Sequence, residues 1–61
     1  MYQIYMRMRT MNNRLVEMEE IESVFEGQKR CDLYKRKNKS QDFVLVNKDN
    51  GDLEYETPTI Y

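Results

Sequence analysis

The sequence predicts a small α+β domain, an antiparallel sheet of about four strands with one helix on one face. Three observations predict it. Residues 1–9 alternate between apolar and polar positions, two β-rich runs near the C-terminus flank an Asn-Gly pair, and the middle of the chain carries one stretch with helical spacing. The chain has 61 residues, enough for one domain over 1–61 and no second one.

The first strand rests on period two. Tyr2, Ile4, Met6 and Met8 fall on one face, and Gln3, Tyr5, Arg7 and Arg9 on the other. Asn12-Asn13 then turns the chain, so that 14–21 pairs back on the first strand.

The middle of the chain has two helical readings, with an all-β chain as the remaining alternative. In the preferred one, ββαββ, the helix runs from about Gln28 to Lys37. Cys31 and Tyr34 face inward, Lys29, Arg30, Asp32 and Arg36 face outward, Phe25 packs under the start, and 38–41 forms a loop. In the alternative, βαβββ, Asn13 caps a helix over 14–26, with Leu15, Met18, Ile21 and Phe25 on one stripe and Gly27 as the C-terminal cap. The helix dipole weighs against the alternative, since Glu20, Glu22 and Glu26 would fall in its last turns. The basic run 29–37 has the favourable sign for a helix C-terminus.

The last two strands are read from 42–48 and 53–57, with Asn50-Gly51 supplying the positive φ angles of a tight turn. Residues 43–46 are apolar on both faces, which suits an interior strand, whereas Leu53 and Tyr55 alternate with Glu54 and Glu56 nearer an edge. Pro58 stops the last strand and leaves a tail over 57–61, in which Ile60 and Tyr61 are expected to fold back or to meet another chain.

Composition removes several chemistries. There is no histidine and one cysteine, so zinc, haem and iron–sulfur sites lack ligands and the Ser-His-Asp and Cys-His arrangements lack their base. No cofactor, metal or catalytic residue is assigned. Cys31 reads as a small buried apolar residue, with a reactive thiol as the rarer alternative. The lone cysteine favours a reducing compartment, and no membrane span or signal-peptide pattern occurs. The expectation is a cytoplasmic protein of a bacterial or phage-infected cell. It is drawn from the abundance of Lys, Asn, Glu, Asp and Tyr and the absence of alanine.

Charge is segmented although the net is −1. Arg7, Arg9 and Arg14 come first, then Glu17, Glu19, Glu20, Glu22 and Glu26. Lys29, Arg30, Lys35, Arg36, Lys37 and Lys39 follow, and Asp42, Asp49, Asp52, Glu54 and Glu56 come last. The structural reading pairs these blocks across strands, with Arg7 and Arg9 laddered against Glu17 and Glu19. The functional readings are two. Tyr5, Arg7 and Arg9, with Glu17, Glu19 and Glu20, are the residue types of a protein-binding surface. Lys29, Arg30, Lys35, Arg36, Lys37 and Lys39 form a basic segment for a phosphate backbone, although a pI near 5.3 opposes nucleic-acid binding.

The leading expectation is a non-enzymatic module that binds a larger protein, a phage or mobile-element accessory protein that inhibits or modulates a host protein. The alternatives are a nucleic-acid-binding regulator and an oligomeric structural subunit. A homodimer is expected to form through the first strand if that strand lies at a sheet edge.

Overall fold

The computed structural model describes residues 1–58. Its element order is β1 (Tyr2–Met8), a 3-10 turn (Arg9–Met11), β2 (Arg14–Ile21), α1 (Val24–Lys37), β3 (Asp42–Asn47) and β4 (Leu53–Glu56). The architecture is therefore ββαββ. The alternative with a helix over 14–26 is overturned, because 14–21 is the second strand of a hairpin. All neighbours are antiparallel in the order β2-β1-β3-β4.

That order corrects the idea of a first strand lying at an edge. β1 is paired on both sides, with Ile4 opposite Glu19 on β2 and Leu45 on β3. Pairing of β1 with its copy is closed by the chain itself, and the sheet edges are β2 and β4.

Side chains opposite one another in an antiparallel pair share a face, so the register sorts the sheet into two surfaces. The face under the helix carries Tyr2, Ile4 and Met6 from β1, Phe43 and Leu45 from β3, Tyr55 from β4 and Ile21 from β2. With Cys31 from α1, Ile4, Ile21, Phe43 and Leu45 form the buried core, and Met18, Val24 and Tyr34 pack against it. The opposite face has the rows Glu20–Gln3–Val46–Leu53, Glu17–Tyr5–Val44–Glu56 and Leu15–Arg7–Asp42. A bulge at Met18 shifts the register of β2 between these rows. Beside it, the buried Gln3 amide donates to the Glu19 carbonyl at 3.1 Å.

The first hairpin turns at Asn12 and Asn13, which both have positive φ (56° and 59°). Asparagine enters this region more readily than other residues with a Cβ. The second hairpin differs from the tight turn expected. Only Gly51 has positive φ there, and the loop is longer, closed by Gly51 N–H on the Asn47 carbonyl and by Asn47 N–H on that of Asp52. Asn47 and Asn50 side chains accept from the N–H groups two residues on, which builds the loop from local Asx turns.

The helix begins at Val24, four residues before the expected start. Ser23 caps it, its hydroxyl accepting from Glu26 N–H at 3.2 Å, and Glu26 occupies the favourable end of the dipole. Gly27 lies inside the helix and faces Leu45, where a Cβ would come within 2.5 Å of Leu45 Cδ2. The glycine thus permits close approach of helix to sheet. The expectation that Phe25 packs under the helix is also corrected, for Phe25 is 67% exposed. With the helix one turn longer, position 25 rotates away from the sheet while Val24, Gly27 and Cys31 take the inner stripe.

Among the described residues no helix is long and apolar enough to cross a membrane. Thr57 is tied to the sheet, since its N–H donates to the Phe43 carbonyl and its hydroxyl accepts from Phe43 N–H, both at 3.0 Å. The reading of Ile60 and Tyr61 lies outside the described residues.

Candidate functional site: the outer face of the helix

Polar contacts pin the helix to three strands. Tyr34 stacks on Phe43 with ring centroids 5.3 Å apart, and its hydroxyl donates to Glu19 on β2 at 3.0 Å. Burial, then the bond to Glu19, raises the Tyr34 pKa. On the far side the Tyr55 hydroxyl of β4 donates to Asp32 at 2.7 Å, and this bond together with burial pushes its pKa up to about 12. Between them Lys35, only 5% exposed, donates to the Lys39 and Gln41 carbonyls and to the buried Asp42 carboxylate at 3.0 Å.

Asp42 also accepts from Arg7 at 3.1 Å, and Arg7 continues to Glu56 at 2.6 Å. Burial pushes the Asp42 carboxyl up, but the bonds from Lys35 and Arg7 outweigh it and hold the group below its ordinary value. The bond to Asp42 in turn raises Arg7 further. Because Arg7 stands opposite Asp42 while Glu56 stands opposite Val44, the Arg7 side chain crosses β3 to reach β4.

These partners reassign most of the residues expected to form a site. Arg7 stands opposite Leu15 across the hairpin, so the ladder of Arg7 and Arg9 against Glu17 and Glu19 does not form. Arg7 is committed to Asp42 and Glu56, and Arg9 lies 3.8 Å from Asp42. Glu19 takes Tyr34 and Arg30, and Glu20 pairs with Lys48 at 3.5 Å. Tyr5 and Glu17 remain cross-strand neighbours on the uncovered sheet face. Four of the six residues of that set, Arg7, Arg9, Glu19 and Glu20, thus have charged partners within the fold.

The basic set divides as well. Lys35 is buried and unavailable to phosphate, which corrects its inclusion, and Arg30 lies 3.8 Å from Glu19. Lys29 sits over the Phe25 ring, 4.5 Å from its centroid. Lys29, Arg36, Lys37 and Lys39 are exposed and make no ion pair among the described residues.

Sequence reasoning missed the apolar half of this surface. Phe25 and Leu33 both lie on the outer helix surface, two turns apart and about 80° around the axis with Lys29 between them, and Leu33 is 49% exposed. Leu33 is shared by two shallow hollows. One, of about 280 Å³, is lined also by Lys29, Asp32 and Arg36, and the other, of about 110 Å³, by Arg30, Tyr34 and Lys37. The signal that would have found Phe25 is the Ser23-x-x-Glu26 capping pattern, which starts the helix early enough to turn Phe25 outward.

Cys31 is fully buried, and burial pushes its thiol up to about 12. It sits in the core as a packing residue. Among the described residues no cluster of three or more Cys, Asp or Glu is arranged to hold a metal ion.

The fold and its surface define a small α+β protein with one helix carrying an apolar and basic outer stripe. Comparison with known proteins finds no matching family model, curated protein or solved structure.

Proposed function

We propose that this chain is a non-enzymatic protein-binding module that docks a larger protein on the outer face of α1. The observation that carries the reading is the exposure of Phe25 and Leu33 on the outer helix surface, with Lys29 between them and Arg36 and Lys37 beside Leu33. Exposed apolar anchors inside a polar rim are the composition of a binding hot spot. On the sheet face Arg7 is engaged with Asp42 and Glu56 and Glu20 with Lys48, while Leu15 and Leu53 are exposed there without a basic rim like that of Leu33. The form of the activity is a small accessory protein that blocks or redirects its partner. Its assignment to a phage or mobile element rests on composition alone.

The test is position-specific photocross-linking in cells that produce the protein. A benzophenone side chain at Leu33 is expected to give a discrete adduct, and one at Glu17 on the sheet face is expected to give none. An adduct from Glu17 alone would overturn the assignment of the face.

A second reading is favoured by the four cations that make no ion pair among the described residues, Lys29, Arg36, Lys37 and Lys39. On a nucleic acid they would give a salt slope of about −3 to −4 in log–log form, from about −0.9 per duplex phosphate contacted. A duplex backbone leaves the exposed Phe25 and Leu33 unused. Absence of any gel shift at low salt removes this reading.

A further inference from the structure

We propose that the two hollows beside Leu33 receive a pair of apolar side chains from an acidic amphipathic segment of the partner, whose carboxylates meet Lys29, Arg36 and Lys37. The inference rests on the helix-face reading and specifies its ligand. At about 280 and 110 Å³ the hollows fall below the ~300–1,000 Å³ of a small-molecule pocket. They suit single side chains rather than a metabolite.

The rims select the sign of the partner. Lys29 and Arg36 border the larger hollow, and Arg30 and Lys37 the smaller. Asp32 is the one carboxylate in either lining, and it already accepts the Tyr55 hydroxyl. A carboxylate beside an apolar anchor therefore meets cations on both sides of Leu33, while the anchor displaces water from the leucine.

The same charges disfavour a second copy of this chain on the face. An antiparallel pair of α1 helices centred on Leu33 sets Lys29 of one copy near Lys37 of the other, and like charges oppose it. On the uncovered sheet face of a second copy Glu20 is paired with Lys48 and Glu56 with Arg7, which leaves Glu17 as the carboxylate to meet the three cations. A duplex phosphate backbone would satisfy the cations but leave Phe25 and Leu33 in water, and any phosphate chain brings Asp32 against its own charge. An extended or helical acidic segment with apolar residues on one side satisfies both halves of the stripe.

The experiment is fluorescence anisotropy of the full chain against four labelled probes. They are a helical peptide with leucines at i and i+4 flanked by glutamates, the same peptide with Gln for Glu, the same with Ala for Leu, and a single-stranded oligonucleotide. The glutamate–leucine peptide is expected to bind at least tenfold tighter than each control peptide and than the oligonucleotide. L33Q is expected to weaken it tenfold or more, and E17Q to leave it unchanged, with circular dichroism confirming that both variants are folded. Equal binding of the glutamine peptide would overturn the acidic ligand and leave helix-face docking standing. Tighter binding of the oligonucleotide would overturn the proposal in favour of phosphate. Failure of every peptide would overturn it too, and helix-face docking is then judged on the cross-link at Leu33.

Discussion

Replacement of Gly27 by alanine sets helix propensity against packing, and the structure decides which wins. In an exposed helix interior the change stabilises by about 0.8–1.0 kcal/mol, because glycine loses more backbone freedom on folding. At position 27 the new Cβ would meet Leu45 Cδ2 at 2.5 Å, Cδ1 at 2.7 Å and Cγ at 3.1 Å. Leu45 has no free surface into which to swing, since it is fully buried among Ile4, Cys31 and Phe43. Relief requires the helix to lift or the core to repack, and overpacking of this kind costs about 1–3 kcal/mol. The balance is a net loss of roughly 0–2 kcal/mol, out of the ~3–5 kcal/mol that a core of this size supplies. Urea unfolding followed by far-UV circular dichroism reads it directly. A double-mutant cycle isolates the clash: with Leu45→Val also present, the penalty of the alanine should shrink by about 1 kcal/mol or reverse. A Gly27→Ala variant that gains the full helix-propensity increment, with no coupling to position 45, would refute the close approach of helix and sheet.

The buried ion pair, the thiol and the first turn give further outcomes. Lys35→Met leaves Asp42 buried with its arginine contacts but without its lysine, and should lower stability by about 2–4 kcal/mol, measured by chemical denaturation. The Asp42 carboxyl lies below its ordinary value of 3.8 in the folded chain, so its contribution is present above that pH and is lost as pH falls through the lowered value. Acid unfolding monitored by circular dichroism should begin below about pH 4, and Asp42→Asn should flatten that limb. Cys31 should react with a thiol reagent at pH 8 about 10²–10³-fold more slowly in the native chain than in urea, reaction requiring the core to open. Asn13→Ala should destabilise by about 1 kcal/mol through its left-handed backbone, whereas Asn13→Gly should be close to neutral, and thermal melts of the pair separate the two.

The strands were legible because their signals are local. The alternation of Tyr2, Ile4, Met6 and Met8 and the apolar run 43–46 each carry their burial in adjacent residues, and both strands lie where the pattern sets them. The helix was legible at its C-terminal end, where the basic residues match the dipole. At its N-terminal end Gly27 looked like a break. Its use is a contact with Leu45, eighteen positions away in sequence, which no local pattern records. Lys35 is the same kind of case. In the sequence it is one of six cations in a run, and its burial follows from sharing the inner face with Cys31 while Asp42 stands at the head of β3. The charges of the first hairpin read as a surface because they are dense. Arg7 finds Asp42 and Glu56 across two further strands, and that register is set only once the sheet is assembled. Phe25 was drawn into the core by its residue type, and one extra helical turn places it outside.

The division of labour between the inner and outer helix faces is tested most directly by urea unfolding of the Phe25→Gln/Leu33→Gln double variant. Both residues are substantially exposed and glutamine is a good helix former, so the unfolding free energy should stay within about 0.5 kcal/mol of the parent chain. A loss of 2 kcal/mol or more would show that the two side chains hold the fold together, and would contradict their assignment to a partner.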